Sequence, residues 1–200
     1  MRLPLAALAS FLVAGCVSVS EGIGNLREVD AGSVVLIGKI QIVPPIRAKE
    51  QTYRAGVDLF NTQRHFIGRA VLFVSDRPQY QERTGNALNP PLEETFFLKL
   101  PKSQRFMVKG SVTMELLSRG ASAGSGFDHT ELLFPAPIEF DVRPGDAALY
   151  VGTLRLYRDE FHDVTKAEVR DDYAEASAQF RSKFPGAPAP RKALLKPAKR

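Results

Sequence analysis

Cysteine is all but absent. Cys16 stands alone in 200 residues, so no disulfide can close within the chain and no metal site built on several thiolates is available. Histidine is scarce too: His65, His129 and His162 are the only three, and none lies at ligand spacing from another. Nor is there an apolar run of the roughly 20 residues that a membrane-spanning helix needs. The most apolar stretch, from Leu3 to Val19, is interrupted by Ser10, Gly15 and Ser18. Acidic residues are missing before Glu21 and again from residues 185–200, where Arg191, Lys192, Lys196, Lys199 and Arg200 leave five positive charges unopposed. The formal net charge of +5 is therefore local. With Arg2 also set aside, residues 16–184 hold 21 basic residues against all 22 acidic ones, a net of −1. A near-neutral body and a basic end without aromatics lack the basic groove with interleaved rings that nucleic-acid binding needs.

What is present begins with Met-Arg and the apolar run Leu3-Pro4-Leu5-Ala6-Ala7-Leu8-Ala9-Ser10-Phe11-Leu12, a charged start followed by a stretch of export-signal length. It leads directly into Val13-Ala14-Gly15-Cys16. This resembles the bacterial lipobox: an aliphatic residue, two small residues that let a protease approach the backbone, and the cysteine whose thiol receives the diacylglycerol. The resemblance implies cleavage after residue 15, a lipid on Cys16, and a cell-envelope address. Each buried methylene contributes about 0.8 kcal/mol, so a multi-chain anchor holds stably. Val17, rather than Asp, follows Cys16; by resemblance to enterobacterial lipoproteins this implies the outer membrane, facing the periplasm.

About 185 residues remain after cleavage, which suits one domain. Residues 16–32 are polar and glycine-bearing and read as a tether. From Val34 to Val43 the chain is rich in β-branched residues, continuous at first and then alternating, and it stops at Pro44-Pro45. This pattern predicts a central strand. Residues 53–60 and 66–74 are further strand candidates, and residues 79–91, with Gly85, Asn89, Pro90 and Pro91, read as a polar loop. Two segments then echo one another. Residues 95–100 and 106–117 flank Pro101-Lys102-Ser103-Gln104, and residues 138–143 and 148–157 flank Pro144-Gly145-Asp146. Both read as hairpins, and Pro-Gly favours a type II turn.

A single helix is predicted. Asp171 or Asp172 can cap its start, Tyr173, Ala176, Phe180 and Phe184 recur on one face, and Pro185-Gly186 ends it. Residues 185–200 are dominated by Pro, Ala, Lys and Arg and read as a disordered basic tail. The expected architecture is thus mainly β: an antiparallel β-sandwich over residues 33–184 with one C-terminal amphipathic helix. The stretch Phe140 to Leu156, FDVRPGDAALYVGTLRL, is similar to the closing hairpin of prealbumin-like and carboxypeptidase-regulatory-like β-sandwich domains, and FFLKLPKSQRFMV, Phe97 to Val108, has the same cast. That resemblance implies a fold and carries no functional residue.

Three constellations invite chemistry. Gly120-Ala121-Ser122-Ala123-Gly124 has the letters of a nucleophile elbow, but a helix must follow the serine for the motif to work, and Ser125-Gly126-Phe127-Asp128-His129 offers none. Asp159, Glu160, His162 and Asp163 form the densest acidic patch with an imidazole, whose oxygens suit a divalent cation. Glu93, Glu94 and Glu115 cannot be paired across a cleft from spacing alone. The sequence therefore points to a lipid-anchored, non-enzymatic binding or assembly module without cofactor, engaging the membrane through Cys16 and an envelope protein or polyanionic polymer. Its alternatives are a serine hydrolase using Ser122 with His129 or His162, and a metal or small-ligand carrier.

Overall fold

The computed structural model describes residues 19–20, 22–47, 50, 68–79, 86–115 and 129–198. Cys16, Ser122 and His65, and the strand candidate at residues 53–60, lie outside them. The described chain is mainly β, with two sheets and one helix.

In the five-stranded sheet, β2 (Ser33–Val43) lies between β5 (Thr95–Pro101) and β9 (Ala148–Arg158), and β10 (Val164–Arg170) follows β9. The β2–β5 and β9–β10 pairs are antiparallel, but β2 and β9 run parallel. The seven-stranded sheet is ordered β1 (Val19–Ser20), β4 (Asn86–Leu88), β3 (Val71–Ser75), β6 (Phe106–Glu115), β8 (Ile138–Glu139) and β12 (Lys196–Pro197), with β7 (His129–Leu133) also on β6. It holds one parallel pair, β1 with β4, where the smaller sheet holds two, since a short C-terminal strand also runs parallel to β9. The pairing is therefore mostly antiparallel, not uniformly so.

Period-two alternation divides β2 between two cores. Val34, Leu36, Ile40 and Ile42 join a cluster to which both sheets contribute, including Leu98, Leu149, Leu156, Leu72, Val74 and Val112. Val35 and Ile37 face the other way, into a second cluster with Phe97, Tyr150, Phe180 and Phe184. That second cluster is closed by α1 (Tyr173–Lys183), which buries Ala176, Ser177 and Phe180 on the small sheet. The helical stripe foreseen in the sequence is thus core. Phe97 stacks against Phe180 at 6.1 Å and meets Phe184 edge-on at 5.8 Å between ring centroids. Gly186 ends the segment with φ of +81°, a conformation glycine adopts without steric penalty.

Five expectations need correction. First, the two proline-centred segments are not hairpins. β5 belongs to the small sheet and β6 to the large one, and β8 and β9 are divided in the same way, so each turn carries the chain from one sheet to the other. Burial on both faces explains this: Phe96, Leu98 and Leu100 fill the inter-sheet core while Phe97 fills the helix-side core, which β2 satisfies as partner. Second, Gly145 does not take the positive φ that a type II turn requires. The turn is instead closed by Asp146, whose N–H reaches Arg143 O at 3.1 Å and whose carboxylate accepts from Arg143 N at 2.8 Å.

Third, the tail is ordered as far as residue 198. β11 (Arg191–Lys192) pairs with Leu149 and Tyr150 of β9, on the edge that β10 occupies further along, and β12 pairs with β8. Ala193 and Leu195 pack on the inter-sheet cluster, and Leu194 packs on the helix side. The basic composition concealed this short apolar alternation. Fourth, the supposed tether joins the body from β1 onward: Ile23 is buried at 3 % exposure and donates its N–H to Phe97 O. Fifth, the polar loop at residues 79–91 contains β4, where Ala87 and Leu88 are buried between β1 and β3.

Candidate binding cleft

Alternation along β2 and β9 changes its chemistry halfway. On the face toward α1, Val35 and Ile37 of β2 give way to Lys39 and Gln41, and Ala148 and Tyr150 of β9 give way to Thr153 and Arg155. The change coincides with a β-bulge, where Ile37 opposes Tyr150 but Gly38 opposes Gly152, leaving Val151 as the extra residue. A bulge shifts the facing of everything beyond it. Gly152 takes φ of +99°, and a Cβ there would meet Val169 Cγ1 at 2.6 Å, so only glycine fits. Beyond the bulge the helix no longer covers the sheet, and an open polar cleft of about 170 Å³ results.

The floor is a row across three strands: Thr95 of β5, Lys39 of β2 and Thr153 of β9 are direct neighbours in register. Gln41 and Arg155 form the next row. The opposite wall comes from the start of α1, where Asp172 and Glu175 line the cleft. Tyr150 joins floor to wall, since its hydroxyl accepts the N–H of Asp172 at 2.7 Å. Burial raises the Tyr150 pKa above its ordinary value, partly offset by that bond, so the phenol stays protonated at neutral pH.

The charges in the cleft are unevenly matched. Arg155 donates to Gln41 Oε1 at 3.3 and 3.2 Å and stands 3.8 Å from Glu168. The Glu168 carboxyl is held below its usual range, first by the hydrogen bond from Tyr157 and then by that from Lys166. Lys39, half-buried, forms no ion pair with any described residue. The Asp172 side chain makes no capping bond, and among the described residues Glu175 accepts from Gln179 at 3.1 Å. A cationic floor and an acidic wall thus share one small space without direct contact.

A second cluster lies at the end of β9. Arg158, 8 % exposed, donates to Pro44 O at 3.1 Å, to Pro45 O at 3.3 Å and to both oxygens of Glu50 at 3.0 and 2.9 Å. This pairing depresses the Glu50 pKa. The Nη1 of Arg158 also lies 2.6 Å from His162 Nδ1. A guanidinium only donates, so Nδ1 accepts and the ring N–H sits on Nε2.

The acidic patch is a turn. Asp159 Oδ1 accepts from Phe161 N at 2.9 Å and from Asp163 N at 3.0 Å, and Phe161 projects into solvent. Among the described residues no three His, Cys, Asp or Glu side chains converge as a metal would require. Glu93 likewise serves the backbone, accepting from Ile42 N at 2.9 Å. The cleft escaped sequence reasoning because Lys39 and Arg155 are brought together only by the parallel register of strands distant in the chain. No family model, curated protein or solved structure matches this chain.

Proposed function

We propose that the chain is a lipid-anchored protein of the bacterial cell envelope, tethered through Cys16 to the outer membrane on its periplasmic side, whose body is a non-enzymatic binding module. The Val13-Ala14-Gly15-Cys16 motif supports the anchor, and among the described residues no helix is long and apolar enough to cross a membrane. We read the two sheets as a β-sandwich, because both feed one hydrophobic cluster; the likeness to prealbumin-like domains rests on the sequences of residues 140–156 and 97–108 alone.

The observation that carries the binding role is the polar cleft beside the start of α1, where Lys39 has no described ionic partner within the protein. Concave sites with convergent polar groups are where ligands bind by default. A photo-crosslinking amino acid placed at Lys39 of the full chain in living cells tests this, with exposed Ser103 as the control position. Adducts at position 39 well above those at 103 are expected. Equal adducts at the two positions would remove the cleft as the binding surface.

A further inference from the structure

We infer that the cleft takes a small zwitterion of free amino-acid size, its carboxylate against Lys39 and Arg155 and its ammonium against Asp172 and Glu175. This rests on the binding-module reading and names the ligand class for that site. The volume, about 170 Å³, falls below the roughly 300–1,000 Å³ of pockets for drug-sized molecules, so the occupant is small. The lining is polar throughout, apart from Gly38 and Ala176, so an extended apolar side chain has nothing to pack against.

The charge arrangement selects among small polar molecules. A simple anion drawn to Lys39 and Arg155 meets Asp172 and Glu175 across the same narrow space and is repelled by them. A simple cation suffers the reverse. Near a protein surface charges are screened far less than in bulk water, so both effects count in so small a space. Only a molecule carrying both charges a short distance apart satisfies both walls. No ion pair joins Lys39 or Arg155 to Asp172 or Glu175 among the described residues, although Asp172 lies near enough to Arg155 to favour its charged form. The sheet holds the cations on adjacent strands, and the Tyr150 hydroxyl fixes the helix start above them at 2.7 Å from Asp172 N, so the separation is built into the fold.

The test is calorimetric titration of the full chain in non-ionic detergent with three probes: alanine, propionate, which lacks the ammonium, and ethylamine, which lacks the carboxylate. Alanine should bind at least tenfold tighter than either half. Lys39→Gln should weaken alanine about tenfold and leave ethylamine unweakened, and Glu175→Gln should weaken alanine while leaving propionate unweakened. Glu175 is exposed and Lys39 half-buried, and unchanged melting temperatures would confirm intact folding. Propionate binding as tightly as alanine would overturn the zwitterion and leave an anion cleft. Silence from all three probes, together with strong crosslinking at position 39, would overturn the ligand class while the binding module stands. Silence from both experiments would remove both.

Discussion

The guanidinium of Arg191 meets the carboxylate of Asp146 through two bonds of 2.7 Å each, Nε to Oδ1 and Nη2 to Oδ2. The same guanidinium reaches Asp141 at 3.1 Å. Asp146 is nearly buried, and its pairing partner is three-quarters so. This contact pins the C-terminal segment where β11 begins, beside the turn that carries the chain between the sheets. Bidentate Arg–carboxylate geometry is not reproduced by lysine. Arg191→Ala should destabilise the protein by about 2 kcal/mol, below the roughly 3–5 kcal/mol seen when a fully buried pair is broken, and Arg191→Lys should recover less than half of that. Chemical denaturation measures both, and a loss under about 0.5 kcal/mol would show that the tail is not held by this pair.

Acid should weaken the fold most through its two well-buried depressed carboxylates, Glu50 and Asp146. Arg158 holds Glu50 below its ordinary pKa of 4.5, and Arg191 holds Asp146 below 3.8. A carboxyl whose pKa is lower folded than unfolded binds fewer protons in the native state, so its contribution is full above the unfolded value and disappears as pH falls through the folded one. Stability should therefore be level with respect to these groups above about pH 5 and fall steadily below about pH 4.5. Urea midpoints from pH 7 to pH 3 measure the slope. Glu50→Gln combined with Asp146→Asn should lower stability at pH 7 and flatten the acid limb. An unchanged limb in that variant would place the acid sensitivity elsewhere.

Phe180 is 1 % exposed and stacks between Phe97 and Phe184. Removing a ring that cannot be replaced by rearrangement costs about 3–5 kcal/mol. Phe180→Ala should show that loss in equilibrium unfolding. A value below about 1 kcal/mol would mean that α1 is not part of the cooperative core.

The periodicities of 3.6 and 2 make α1 and the long strands β2 and β9 legible in the sequence, because Tyr173, Ala176, Phe180 and Phe184 share one face and Val34, Leu36, Ile40 and Ile42 another. Strand partners were not legible. Pro101 and Pro144 mark turns in either case, and nothing local says whether the chain pairs back on itself or crosses to a second sheet; that depends on which face of β5 and β9 finds apolar cover. The ordered tail was hidden because Ala193, Leu194 and Leu195 are too few to stand out among prolines and lysines, yet two backbone bonds to Tyr150 O and Val151 O fix them. The cleft depends on the extra residue at Val151 and on the parallel register of β2 with β9, neither of which leaves a mark in composition.

The proposed envelope address depends on Cys16 as the point of attachment. Metabolic labelling with an alkyne fatty acid, followed by click detection on the immunoprecipitated protein, tests it most directly. The wild-type chain should carry the label and sediment with membranes. Cys16→Ser should lose the label and accumulate as an unprocessed precursor or a released protein. Equal labelling of wild type and Cys16→Ser would contradict the lipid anchor and, with it, the envelope address on which the proposed function depends.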